Sequence, residues 1–144
     1  MRGKPRKTSR AICFDPNLFA VSICERLERR VGEIVRRVIE ELPPDLRTLA
    51  EQVPVYCEWE MAEHWLEEGV ADDSMGLFSG PALNEPTDPD CLESPSITFF
   101  LAELLDYCGE DLPTFDEEVR ITYIHEFGHY LGLDESELES RGLG

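Results

Sequence analysis

Leu27, Val31, Ile34, Val35, Val38 and Leu42 recur at steps of three and four residues, with Glu28, Arg29, Arg36 and Arg37 between them. That period places the apolar residues on one stripe of a helix and the charges on its other faces. Phe14-Asp15-Pro16 supplies a start, with Asp15 as cap and Pro16 at the first helical position. Pro43-Pro44 supplies the stop. The pattern predicts one long amphipathic helix packed against a sheet.

Beyond residue 50 the period changes to two. Val53, Val55, Cys57 and Trp59 alternate with Tyr56, Glu58 and Glu60, as in a half-buried strand. A helical or irregular piece, residues 61–69, holds His64 and Trp65. Residues 75–81 read as a second short strand whose glycines allow a bend or a close backbone approach. Residues 84–95 carry Pro86, Pro89 and Pro95 and read as a surface loop. Residues 97–101 form a third strand. The last apolar series is Val119, Ile121, Tyr123, Ile124, Phe127 and Leu131, in a helix opened by a capping box at residues 114–117 and closed by Gly132 in a left-handed turn. Tyr123 and Tyr130 read as core aromatics of that helix rather than as donors to a reacting group.

The length of 144 residues leaves room for one core. We divide the chain into a basic, disordered arm at residues 1–13 and a single domain at residues 14–144. The arm holds Arg2, Lys4, Arg6, Lys7 and Arg10, while the whole chain carries a net charge of −18. So acidic a body repels phosphates, which argues against nucleic acid as a partner. No run approaches the ~18 apolar residues of a membrane span, so no membrane partner is expected. The five cysteines are odd in number, none falls in a C-x-x-C pair, and the apolar stretch after the basic start, Ala11-Ile12-Cys13-Phe14, is cut off by Asp15-Pro16. They read as free thiols of a cytoplasmic protein.

Two of the three histidines fall in His125-Glu126-Phe127-Gly128-His129. Residues four apart share a helix face, so both imidazoles can meet one ion. Zinc binds imidazole nitrogen and lowers the pKa of a bound water to about 7. Glu126 sits beside the pair, in reach of that water's proton. A third protein ligand is required. Only residues 130–144 follow His129, too few for a turn plus a second docked helix carrying a ligand. In H-E-x-x-H-x-x-G-x-x-H the glycine returns the chain and the third ligand follows three residues later. Gly132 matches the glycine, and Glu135 stands at the ligand position. Asp134 competes with it, and a plain solvated acidic tail is the other reading of this stretch. His64 is a candidate remote ligand, but it stands alone in a polar stretch and reads as a surface or cap residue.

The chain resembles the short bacterial zincin-like metallopeptidases, the minimal zincins with a matrix-metalloprotease-like domain. The resemblance rests on residues 119–122, 125–129 and 131–135, with weaker support from Leu42-Pro43-Pro44 and from residues 76–80 before a proline. It implies a compact α+β zincin-like fold, a small twisted mixed sheet packed against the long N-terminal helix and the active-site helix. It also implies Zn2+ held by His125, His129 and a carboxylate near Glu135, with Glu126 as general base. Related proteins resemble one another in an Asp at the third-ligand position, where this chain has Glu. Met1, Met61 and Met75 all lie upstream, so the downstream Met-turn of metzincins has no counterpart.

The expected activity is zinc-dependent hydrolysis of a peptide or protein substrate, a basic one given the acidic body. A non-catalytic, zinc-stabilised binding or regulatory domain is the alternative. An adaptor or regulator whose basic arm docks on an acidic partner or nucleic acid is a further one.

Overall fold

Pro16, at the first position of α1 (Pro16–Glu41), opens the order of elements in the computed structural model, which describes residues 16–86 and 93–140. Asp15, the arm and the segment 87–92 lie outside the described residues. Leu27, Val31, Ile34, Val35 and Val38 are buried along α1, as their period predicts. Two helices that the sequence reading leaves out come next to the expected elements. Pro43-Pro44 does end α1, yet Pro44 also opens α2 (Pro44–Ala50), because proline fits a first helical turn whose N–H has no partner anyway. The third strand is β3 (Ser96–Phe100), and Leu101 belongs to α4 (Leu101–Cys108), which starts directly from it. Leu101, Leu104 and Cys108 form the buried stripe of α4.

β1 (Val55–Glu58) and β2 (Gly76–Ser79) flank β3 in the order β1-β3-β2. β1 runs parallel to β3, with Val55 opposite Ile97, and β2 runs antiparallel, with Phe78 opposite Ile97. The sheet is therefore mixed, and the fold is a compact α+β arrangement. Ile97, Phe99 and Phe100 of β3 are wholly buried, as a central strand covered on both faces must be. β1 shows the expected alternation, Val55 and Cys57 half-buried and Tyr56 and Glu58 exposed. α3 (Glu63–Glu67) is one short turn of helix between β1 and β2.

α5 (Leu112–Tyr130) touches α1, α4, β2 and β3. Phe115, Val119, Tyr123, Phe127 and Tyr130 put its inner face into the one buried cluster shared with α1 and β3. Arg30 on α1 donates through Nε and Nη2 to the two oxygens of Asp116 on α5, at 2.6 and 2.8 Å, a bidentate clamp. The start of α5 differs from the capping box expected at Thr114. Asp111 precedes the helix, Pro113 lies in its first turn, and the Thr114 hydroxyl donates back to the Asp111 carboxylate. The Pro113 ring fits that turn, so the helix begins before Thr114.

Candidate metal centre

The outer face of α5 carries His125, Glu126 and His129, all half-buried. One ligand atom from each lies within 4.8 Å of the others, a group suited to one metal ion. The two Nε2 atoms stand 3.2 Å apart, and the rings meet edge to face with centroids 4.8 Å apart. Two nitrogens bound to one zinc at about 2.0–2.1 Å and a tetrahedral angle would stand about 3.3 Å apart. The donors therefore fit zinc in both chemistry and separation. Nδ1 of His129 lies 3.3 Å from the carbonyl oxygen of Leu133. A carbonyl only accepts, so Nδ1 carries the proton and Nε2 presents its lone pair to the metal position.

The end of α5 produces that carbonyl. Gly132 has φ +89°, the left-handed turn expected of it. The Gly132 N–H donates to the His129 carbonyl and the Leu133 N–H to the Gly128 carbonyl, 3.0 and 3.1 Å, a Schellman closure. The closure bends the chain back over His129. The loop after β2 packs on the same end: the Leu83 N–H donates to the Tyr130 carbonyl at 2.8 Å, and a Cβ on Gly132 would meet Asn84 Oδ1 at 2.9 Å.

Glu126 is oriented by the sheet. Its Oε1 accepts the Phe78 N–H at 2.9 Å. β2 is an edge strand, and its pairing explains why that amide is available. The Phe100 N–H donates to the Met75 carbonyl. Bonded pairs in an antiparallel ladder recur at every second residue, so Leu77 and Ser79 face β3 while Gly76 and Phe78 turn their backbone groups outward. Sequence reasoning missed this contact; its only trace was the glycine-flanked strand, which signals close backbone approach. Gly76 shows how close: a Cβ there would lie 2.5 Å from Thr122 Cγ2 on α5.

After the turn a short helix of six residues does follow, and no residue of it joins a metal-binding group among the described residues. α6 (Glu135–Ser140) is started by reciprocal bonds: the Glu137 N–H donates to Asp134 Oδ1 at 2.8 Å and the Asp134 N–H to Glu137 Oε1 at 3.0 Å. Such a capping box needs very little chain to begin a helix. Asp134 and Glu137 thus cap α6. Glu135 is its first residue, and its side chain lies outside the described set. His64 is exposed on α3, with its ring 4.4 Å from that of Trp65, and belongs to no metal-binding group among the described residues. Tyr123 and Tyr130 are buried, which matches their reading as core.

A cleft of 230 Å³ adjoins His125 and Glu126 between β2 and α5. A larger hollow, 660 Å³ between α1 and β1, holds no convergent ligand group among the described residues.

A family model of zincin-like metallopeptidases matches residues 50–143. The chain belongs to the zincin-like metallopeptidase family. The match takes in the sheet, α5 and the turn after it, so every element that shapes this zincin-like centre lies within it. α1 precedes the matched stretch and joins it through the shared core and the Arg30–Asp116 clamp. A search of curated proteins returned no match. Among the described residues no helix is long and apolar enough to cross a membrane.

Proposed function

We propose that the chain is a zinc-dependent peptidase, with His125 and His129 holding the metal, Glu135 as third protein ligand and Glu126 as general base. The observation that carries this reading is the convergence of the two Nε2 atoms at 3.2 Å beside a carboxylate held by a strand amide. Zinc in such a site polarises a carbonyl and makes hydroxide accessible near neutral pH. Glu126 then takes the proton of the attacking water and delivers it to the amine nitrogen as the C–N bond breaks. The Phe78 amide holds Glu126 toward the metal position, so the base does not have to be ordered during reaction. The outward backbone groups of β2 that Glu126 does not use, those of Gly76 and the Phe78 carbonyl, give an extended substrate a strand to pair with beside the catalytic carboxylate.

The assignment of Glu135 is supported by the turn. Gly132 and the Leu133 carbonyl contact return the backbone to His129, and Glu135 follows at the start of α6. Asp134 spends Oδ1 on capping.

Metal content and cleavage of a quenched fluorescent peptide library test the reading together. Wild-type protein and Glu126→Gln are expected to hold one zinc per chain, and His125→Ala to hold none. Glu126→Gln should lower kcat by about 10²–10⁴-fold, the usual contribution of a general base. Glu135→Ala should weaken zinc binding, and Asp134→Asn should not. Full activity in Glu126→Gln, or protein that takes up no zinc, would overturn the proposal.

A further inference from the structure

The cleft beside the metal centre has a defined polarity along its length. One wall is a face of α5 made by Glu118, Ile121, Thr122 and His125, at steps of three and four; the other is residues 74–76 leading into β2. Its 230 Å³ is below the roughly 300–1,000 Å³ of a small-molecule pocket and suits a single side chain. Met75 and Ile121 make it apolar along its length, and the missing Cβ of Gly76 keeps the second wall close to Thr122. Glu118 lies at the end away from the catalytic pair.

Glu118 is half-buried, and no cation pairs with it among the described residues. Neither Lys nor Arg lines the cleft. Arg120, two residues on, lines a separate hollow with Arg37 and Glu41, and Arg30 of the facing α1 is clamped to Asp116. A carboxylate with no counter-charge at one end of an apolar cleft attracts a cation that enters it. Seven residues, about 10 Å of helix rise, separate Glu118 from His125. A long side chain with an aliphatic stem and a charged head spans such a distance.

We propose that Glu118 is the specificity-determining residue of this site and selects peptides with Lys or Arg next to the scissile bond. The stem lies along Met75 and Ile121, and the charged head meets Glu118. This inference rests on the peptidase reading and adds the substrate class to it.

The test uses three peptides of one sequence with Lys, Gln or Glu beside the cleaved bond. Cleavage by zinc-loaded wild type, Glu118→Gln and Glu118→Lys is one readout. The Kd of the same peptides for zinc-loaded Glu126→Gln, with and without Glu118→Lys, is the other. The wild type is expected to prefer Lys over Gln by at least tenfold in kcat/KM. Glu118→Gln should remove the preference, and Glu118→Lys should turn it toward the Glu peptide. An unchanged Lys preference in Glu118→Lys, or no preference in the wild type, overturns the inference. If no peptide is cleaved, the peptidase reading fails. The Kd series then decides on Glu118 by itself: a Lys preference reversed by Glu118→Lys supports the inference, and equal affinities overturn it.

Discussion

Tyr123 and Cys57 are the residues whose chemistry burial changes most. Desolvation pushes each up to about 12, from ordinary values near 10 for the phenol and 9 for the thiol. Both are therefore neutral in the folded chain across the pH range in which the unfolded chain ionises. Their contribution to stability is complete below the unfolded pKa and is lost as pH rises toward about 12. The urea midpoint is expected to fall above about pH 9, and less steeply in Cys57→Ala. The Tyr123 hydroxyl is buried with no hydrogen-bond partner among the described residues. Tyr123→Phe should therefore be neutral or stabilising at pH 7 as well as flattening the alkaline limb, because it deletes an unsatisfied group. A loss of 2 kcal/mol or more in denaturant unfolding would contradict this. At this scale His125, Glu126 and His129 were legible from their spacing alone, since i and i+4 share a helix face wherever the helix is placed. Glu118 stood in the same pattern, on the face that continues through Thr122 to His125, but nothing in the pattern said that a cleft runs along it.

Between elements, the contact that matters most for chemistry is β2 against α5. It depends on Gly76, whose added Cβ would come within 2.5 Å of Thr122 Cγ2. Thr122 is β-branched and buried on a helix, so it yields little. Gly76→Ala is expected to force β2 away from α5, weaken the Phe78–Glu126 hydrogen bond and cost about 1–3 kcal/mol in stability. Activity should fall further than stability explains, by roughly tenfold or more, because displacement of a catalytic group by about 1 Å can cost 10²-fold. Thr122→Ser, which removes the obstructing methyl, should restore part of both. Gly32 is the control: it lies in α1 with nothing within 4 Å of an added Cβ, so Gly32→Ala should stabilise by about 0.5–1 kcal/mol. Thermal and denaturant unfolding beside peptide cleavage measure all three. α1 and β1 were legible from their periods, α5 from its apolar series and its closing glycine, and β2 and β3 as short runs bounded by glycine and proline. α2 and α4 were not: α2 is seven residues opened by the proline that also ends α1, and the apolar stripe of α4 runs straight on from β3.

For the whole molecule, the question is whether the proposed zinc would hold the fold or work within it. The buried cluster joins α1, β3, α4 and the inner face of α5, and the face of α5 that carries His125, Glu126 and His129 lies outside it. Removal of zinc by a chelator is therefore expected to leave the far-UV circular dichroism intact and to lower Tm by roughly 5–10 °C, the effect of losing a ligand present at about 100 times its Kd. Unfolding on chelation would instead mark a structural zinc, as in small domains that fold only around the ion, and would favour the non-catalytic alternative. What the sequence determined by itself is local: the helix period of α1, the alternation of β1, the left-handed turn at Gly132 and the pairing of His125 with His129. Each follows from backbone geometry and nearest neighbours along the chain. What only the tertiary structure decided is which groups from distant segments meet. The Phe78 amide reaches Glu126 across 48 positions because β2 is an edge strand whose outward backbone needs a partner. The acidic cleft under His125 exists because Gly76 lets that strand lie against α5. Hydrophobic patterning says which face of an element is buried, but not which element covers it.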